Sequence, residues 1–145
     1  MKELRTEIEI QAPPETVWQV LTDLAKYPEW NPLIHSAIGK PSVGDAVDIA
    51  VASGSSAKDM TLHCTVVKVE PNRGLAWKYH VMLPGLFRGE HSFTIEPLGT
   101  DRVRFIDREV FDGVLVPLQA KDIDTNSRLG FVAMDKALKA RAENV

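Results

Sequence analysis

The stretch RVRFIDREVFDGVLVPLQAKDIDTNSRLGFVAMDKALKARAEN, residues 102 to 144, changes its period halfway. Up to Phe111 it alternates. Arg102, Arg104 and Arg108 share one parity, and Val103, Phe105, Asp107, Glu109 and Phe111 share the other, as a strand with one solvated face requires. After Gly113 the alternation stops. Pro117 can open a helix, and no proline follows it. Ile123, Ser127, Gly130, Phe131, Met134 and Leu138 recur at steps of three and four, while Asp135, Lys136, Lys139 and Arg141 are expected mostly off that face. The spacing predicts a C-terminal helix of roughly 20 residues or more. DTNSRLG (124–130) is its weak part, where polar residues and Gly130 allow a bend.

Reading back from residue 102, the chain alternates strands and turns. AVDIAVA, MTLHCTVVKVE, LAWKYHVML and LFRGEHSFTIEPL read as strands. They are separated by turns at SVGD, PNRG and GTD, by SGSSA (53–57) as a hairpin tip, and by a break near Pro84-Gly85. At the start, ELRTEIEIQ places Leu4, Ile8 and Ile10 opposite Arg5, Glu7 and Glu9, which predicts another strand. APPETVWQVLTDLAKY follows as a helix opened by Pro13 and Pro14 and closed by Pro28, with Val17, Leu21 and Leu24 on one face. Tyr27 to Pro32 is a compact linker or a second short helix. The order is a strand, one or two short helices, six antiparallel strands and a long helix. Such a sheet must cover its apolar face, and only the long helix is large enough. If the sheet is strongly curved, a straight helix leaves a hollow.

The chain has 145 residues, the length of one domain spanning 1–145, and can bury roughly 68–70% of its unfolded surface. With 17 basic and 20 acidic residues, a net charge of −3 and no basic block, nothing argues for nucleic acid or a membrane surface. No apolar run approaches the roughly 20 residues that span a bilayer. Cys64 is the single cysteine, which fits a reducing compartment, and the N-terminus lacks a signal-peptide apolar core, so a cytoplasmic location is expected.

IEIQAPPETVWQVLTDLAKYPEWNPLI, FRGEHSFTIEPLG, FIDREVFDGVLVP and GFVAMDKALKARAE occur in that order over nearly the whole chain. Together they resemble the START-like, helix-grip superfamily, also called SRPBCC or Bet v-like, and within it the polyketide cyclase/dehydrase-like branch. The last motif points to a bacterial subgroup without an assigned activity. The resemblance implies an α+β helix-grip fold: a curved seven-stranded antiparallel sheet wrapped around a long C-terminal helix, with two short helices after the first strand and an apolar ligand cavity. It further implies that the short helices form a V closing one end of the sheet. Tyr27 and Trp30 would wedge that corner and Pro28 and Pro32 would set the chain's exit; alternatively Trp30 or Asn31 borders the ligand entrance.

Strand parity then selects cavity-facing residues. Outward Glu90 and Ser92 leave His91, Phe93 and Ile95 inside. Outward Lys78 and His80 leave Trp77, Tyr79 and Val81 inside. Outward Lys68 and Glu70 set Thr61, His63, Thr65, Val67 and Val69 inside and Cys64 outside. The expected ligand-binding set is His63, Trp77, Tyr79, Val81, Phe93, Phe105, Asp107, Phe111, Ile123, Ser127, Phe131 and Met134: apolar walls with a few polar groups that orient a ligand. His91 and Glu109 are the candidate catalytic pair, because a carboxylate beside an imidazole makes a general acid or base. The same pair also reads as a self-satisfying buried contact that holds the sheet. Asp107 could equally meet Arg88 or another base at the sheet's end.

Four scattered histidines give no metal-ligand spacing, Cys64 has no activating base, and no glycine-rich loop precedes a helix, so no metal or other cofactor is expected. The expected partner is a hydrophobic small molecule (lipid-, polyketide- or aromatic-like), with no nucleic acid and no membrane insertion; a homodimer is left open. Three functions remain: a carrier or sensor of such a molecule, a cyclase/dehydratase-like enzyme using His91 and Glu109, and a protein-interaction role with the hollow filled by side chains.

Overall fold

The computed structural model describes residues 1–52, 58–83 and 85–145. The hairpin tip expected at 53–57, and Pro84 in the break before the next strand, lie outside the described residues. β1 (Lys2–Ile10) leads into α1 (Pro14–Thr22), a 3-10 turn (Leu24–Lys26) and α2 (Tyr27–Trp30). Six strands follow: β2 (Ile34–Gly39), β3 (Ala46–Val51), β4 (Met60–Glu70), β5 (Gly74–Val81), β6 (Phe87–Pro97) and β7 (Val103–Asp112). The chain ends in a continuous helical rod made of α3 (Val116–Asp122), a π turn (Ile123–Ser127) and α4 (Arg128–Glu143).

All seven strands form one open, curved antiparallel sheet in the order β1-β7-β6-β5-β4-β3-β2. β2 to β7 are a meander, and β1 closes against the last strand with Lys2 opposite Phe111 and Ile10 opposite Val103. Short turns dictate this order, since neighbouring strands in sequence need only a hairpin to pair. Asn72 in the PNRG turn has φ 64°, a left-handed conformation that asparagine tolerates. Gly113 ends β7 with φ 119°, and its missing side chain lets the backbone pass within contact of Leu86.

α4 lies against β1 over its whole length. Lys139 Nζ donates to the Glu9 carbonyl at 3.0 Å, the Gln11 amide donates to Glu143 at 2.7 Å, and Arg128 reaches the Arg5 carbonyl. Met134 and Leu138 are fully buried there, among core residues that include Leu4, Ile10, Val17 and Leu21. The bend expected at DTNSRLG takes the form of the π turn. Polar side chains there bond to the preceding turn: Thr125 Oγ1 donates to the Lys121 carbonyl and Asn126 Nδ2 to Asp122, each competing with regular helix.

The corner after α1 is a packed wedge. Tyr27 is fully buried and donates its hydroxyl to the Leu21 carbonyl at 2.6 Å, which satisfies a free carbonyl at the helix end. Trp30 packs edge-on against Tyr27, with ring centroids 5.2 Å apart. Asn31 Oδ1 accepts from the Leu33 and Ile34 amides and so turns the chain into β2.

One parity assignment is reversed. β4 carries an extra residue at Val67: Val66 pairs with Trp77, whereas Lys68 pairs with Ala76. Parity counted back from Lys68 therefore inverts before the bulge. Leu62, Cys64 and Val66 face the core, and Thr61, His63 and Thr65 face solvent. Cys64, expected outside, is buried, and burial, together with the charges of Glu109 and Asp48, pushes its thiol up to about 12. A thiol held protonated in this way is a weak nucleophile, by burial rather than by an outer-face placement.

Candidate functional site

Between the rod and the sheet lies a cavity of about 590 Å³. It is bounded on one side by α3, the π turn and the start of α4 and on the other by the sheet. Its sheet side carries Ile34, Ile49, Val51, Met60 and Leu62 from β2 to β4, then Trp77 and Tyr79 from β5, Phe87 and His91 from β6, and Glu109 and Phe111 from β7. Its helix side carries Ile123, Ser127, Leu129, Gly130 and Phe131, and the polar residues Gln119, Asp122 and Asn126. α4 stays close to the sheet at Gly130, where a Cβ would come within 2.8 Å of Leu33.

His91 occupies the centre of a buried polar cluster that crosses three strands and the helix. Register sets His91 directly opposite Glu109 on β7, with Asp107 two residues along the same face. His91 Nδ1 lies 2.9 Å from Glu109 Oε1 and Nε2 lies 2.5 Å from Asp107 Oδ1. Its ring stacks on Phe93 at 4.3 Å and on Phe131 at 4.8 Å. Burial alone would lower the imidazole's pKa, but the charges of Asp107 and Glu109, and the hydrogen bonds to both, override it and raise it to about 10. His91 is therefore an imidazolium at neutral pH, with both N–H groups donated to carboxylates.

Tyr79 completes the cavity side by donating its hydroxyl to Glu109 Oε2 at 2.8 Å. Burial, then the Glu109 charge, holds the phenol well above its usual value, so the proton stays on Tyr79. The ring reaches β7 from β5 by crossing Gly89 on β6. A Cβ on Gly89 would lie 2.5 Å from the Tyr79 hydroxyl and 2.6 Å from Cζ. Gly89→Ala is therefore expected to push Tyr79 off Glu109 and to cost about 1–3 kcal/mol through overpacking. Urea unfolding beside Tyr79→Phe checks this. If Gly89→Ala unfolds at the wild-type midpoint, the close approach is not the constraint.

Behind His91, away from the cavity, Asp107 meets Asp135 of α4. Asp135 is 2% exposed and accepts a 2.6 Å hydrogen bond from Thr6. Burial, then the Asp107 charge and a hydrogen bond with that carboxyl, raise its pKa to about 8. Asp107 Oδ2 and Asp135 Oδ1 have no hydrogen-bond partner among the described residues, and a proton held between the two carboxyls would satisfy both. This corrects the expectation that Asp135 sits off the apolar face. Phe131, Asp135, Leu138 and Ala142 are spaced by four, three and four, so the helical period already places Asp135 on the buried stripe.

Of the residues selected from sequence, Trp77, Tyr79, His91, Glu109, Phe111, Ile123, Ser127 and Phe131 line the cavity. Five inward residues do not line it. Phe93, Phe105, Asp107 and Met134 are packed behind its wall, and Val81 sits half-buried near the strand end. His63 is a correction: it lies on the outer face and pairs with Asp48 at 2.8 Å. Asp107 meets His91, and Arg88 pairs instead with Asp112 at 3.1 Å. Neither Trp30 nor Asn31 borders the cavity; Trp30 packs beside Ala137 and Arg141 near the end of α4. The contribution of β2 to β4 was missed because their short apolar runs give no sign of which residues stay uncovered. Among the described residues no group of His, Cys, Asp and Glu is placed to hold a metal ion, and no helix is long and apolar enough to cross a membrane.

A curved sheet gripping a C-terminal helix, with a cavity between them, defines a helix-grip protein. The chain belongs to the polyketide cyclase/dehydrase and lipid transport family, whose profile matches residues 1–143. No curated protein matches it in sequence. Among solved structures it is similar to a Mesorhizobium loti protein (24% identity, TM-score 0.77, covering 99% of this chain and 98% of that one). It is also similar to the Zhui aromatase/cyclase of a Streptomyces species (18%, 0.78, 98% and 93%) and to a START superfamily protein of Mycobacterium smegmatis (22%, 0.71, 97% and 97%). At these identities the likeness is one of fold.

Proposed function

We propose that the protein binds a hydrophobic small molecule, lipid-, polyketide- or aromatic-like, in the cavity between sheet and rod. The observation that carries this reading is the cavity itself: about 590 Å³, walled by apolar side chains, with Tyr79, His91 and Glu109 converging on one wall. A pocket of that size and composition suits a compact apolar ligand held in orientation by a few polar contacts. The family, described as cyclases, dehydrases and lipid transporters, supports the same reading. Native mass spectrometry of protein purified from cell extract, followed by organic extraction, should show a bound apolar molecule or uptake of one from an added lipid and polyphenol mixture. Protein that stays ligand-free through both arms would favour the interaction role and sink this proposal.

Catalysis on the bound molecule is the second reading, favoured by the 2.9 Å contact of His91 and Glu109 at the cavity wall and by the family's cyclases. The protonated, doubly bonded state of His91 weighs against it as a general base near neutral pH. A mass change of the bound molecule on incubation, abolished by Glu109→Gln, would decide for an enzyme; an unchanged mass decides for a carrier.

A further inference from the structure

Resting on the reading of the cavity as a ligand site, we propose that it selects an apolar molecule bearing an uncharged hydrogen-bond donor, such as a phenolic or alcoholic hydroxyl, and excludes carboxylates. The argument is one of charge and unused valence at the polar wall. His91 is the one cationic side chain lining the cavity among the described residues, since no lysine or arginine lines it. Both His91 N–H groups are spent on Asp107 and Glu109, so the imidazolium offers a ligand no donor. The segments outside the described residues, SGSSA and Pro84, carry no ionisable side chain. Against this single, doubly neutralised cation stand Glu109 on the wall and Asp122 at the helix side.

The wall therefore presents acceptors. Glu109 takes one bond on each oxygen, from His91 and from Tyr79, and a carboxylate oxygen can accept a second. The Tyr79 hydroxyl donates to Glu109, which leaves its oxygen free to accept. A ligand hydroxyl supplies the donor these atoms lack. A ligand carboxylate brings a second anion beside Glu109 in a poorly solvated site, where like charges repel strongly.

A matched set of naphthalenes tests the proposal on the wild-type protein by titration calorimetry near neutral pH. 2-Naphthol should bind about tenfold or more tightly than 2-methoxynaphthalene, which has the same rings but no donor, and 2-naphthoate should bind weakest. Glu109→Gln, which removes the charge and adds a donor, should narrow the gap between naphthol and naphthoate by about tenfold. Naphthoate binding as tightly as naphthol, or methoxynaphthalene matching naphthol, would overturn the selectivity while leaving the cavity a ligand site. Failure of all three naphthalenes to bind, with no apolar molecule seen by mass spectrometry, would overturn the ligand site itself. The wild-type ratios decide the question even if Glu109→Gln does not fold.

Discussion

His91→Ala should cost the protein about 3–5 kcal/mol of stability near neutral pH, the effect expected when one partner leaves a buried ion cluster. The imidazolium is 3% exposed and is the cation between Asp107 and Glu109. Without it, Asp107 and Glu109 lose their common cation in the core, beside an Asp135 carboxyl whose pKa burial and the Asp107 charge already raise. The stack with Phe93 and Phe131 is lost as well, which leaves a void next to the ligand cavity. By linkage the loss should be largest below about 6.5, where the imidazolium's contribution is complete, and should shrink as the pH climbs toward about 10. Urea unfolding at two pH values would show this. A cost below about 1 kcal/mol at neutral pH would mean that the imidazole is not the counter-ion of this cluster. Pairing His91→Ala with Glu109→Gln should cost less than the sum of the two, because the second change removes one of the stranded charges.

The wild-type protein should lose stability from this cluster as the pH rises. His91 has a folded pKa raised from 6.5 to about 10, so its contribution is complete below 6.5 and is lost as the pH climbs through about 10. Asp135 has a folded pKa raised from 3.8 to about 8, so the fold binds its proton over a range in which the unfolded chain has released it. That contribution is complete below 3.8 and is lost as the pH climbs through about 8. Each group supplies a slope of up to about 1.4 kcal/mol per pH unit, and the descent is steepest where the two windows overlap. Asp135→Asn tests the assignment without emptying the site, since an amide can donate to Asp107 and accept from Thr6. The variant should flatten the descent from acid to neutral pH and keep the alkaline limb that belongs to His91. Chemical denaturation across the pH range measures both. A wild-type profile level from mild acid to alkali, or a variant profile parallel to it, would refute the shared proton.

The parts of this protein that were legible in its sequence are those governed by local spacing. β6, β7 and the second half of β5 alternate around outward Lys78, Glu90, Arg104 and Arg108, and Trp77, Tyr79, His91, Phe93, Phe105, Asp107 and Glu109 face the core as that alternation requires. β4 alternates just as clearly, yet parity counted from Lys68 puts its first half on the wrong face. A bulge is a property of the pair of strands: the extra residue at Val67 exists only relative to Trp77 and Ala76 on β5. The rod shows a similar division. Its apolar stripe identified Ile123, Phe131 and Met134, but Met134 is sealed against the core whereas Ile123 and Phe131 line the cavity.

From the sequence alone came the order of elements, the antiparallel meander with its covering helix, and the set of side chains that share one face in its last three strands. These follow from periods of two and of 3.6 residues, which neighbouring residues express without reference to the rest of the chain. The pairing of His91 with two carboxylates, the burial of Asp135 against Asp107, the crossing of Tyr79 over Gly89 and the space left beneath the π turn were decided by the tertiary structure. Each depends on the register between strands or on how the rod is rotated and set down on β1, and those are relations between segments far apart in the chain.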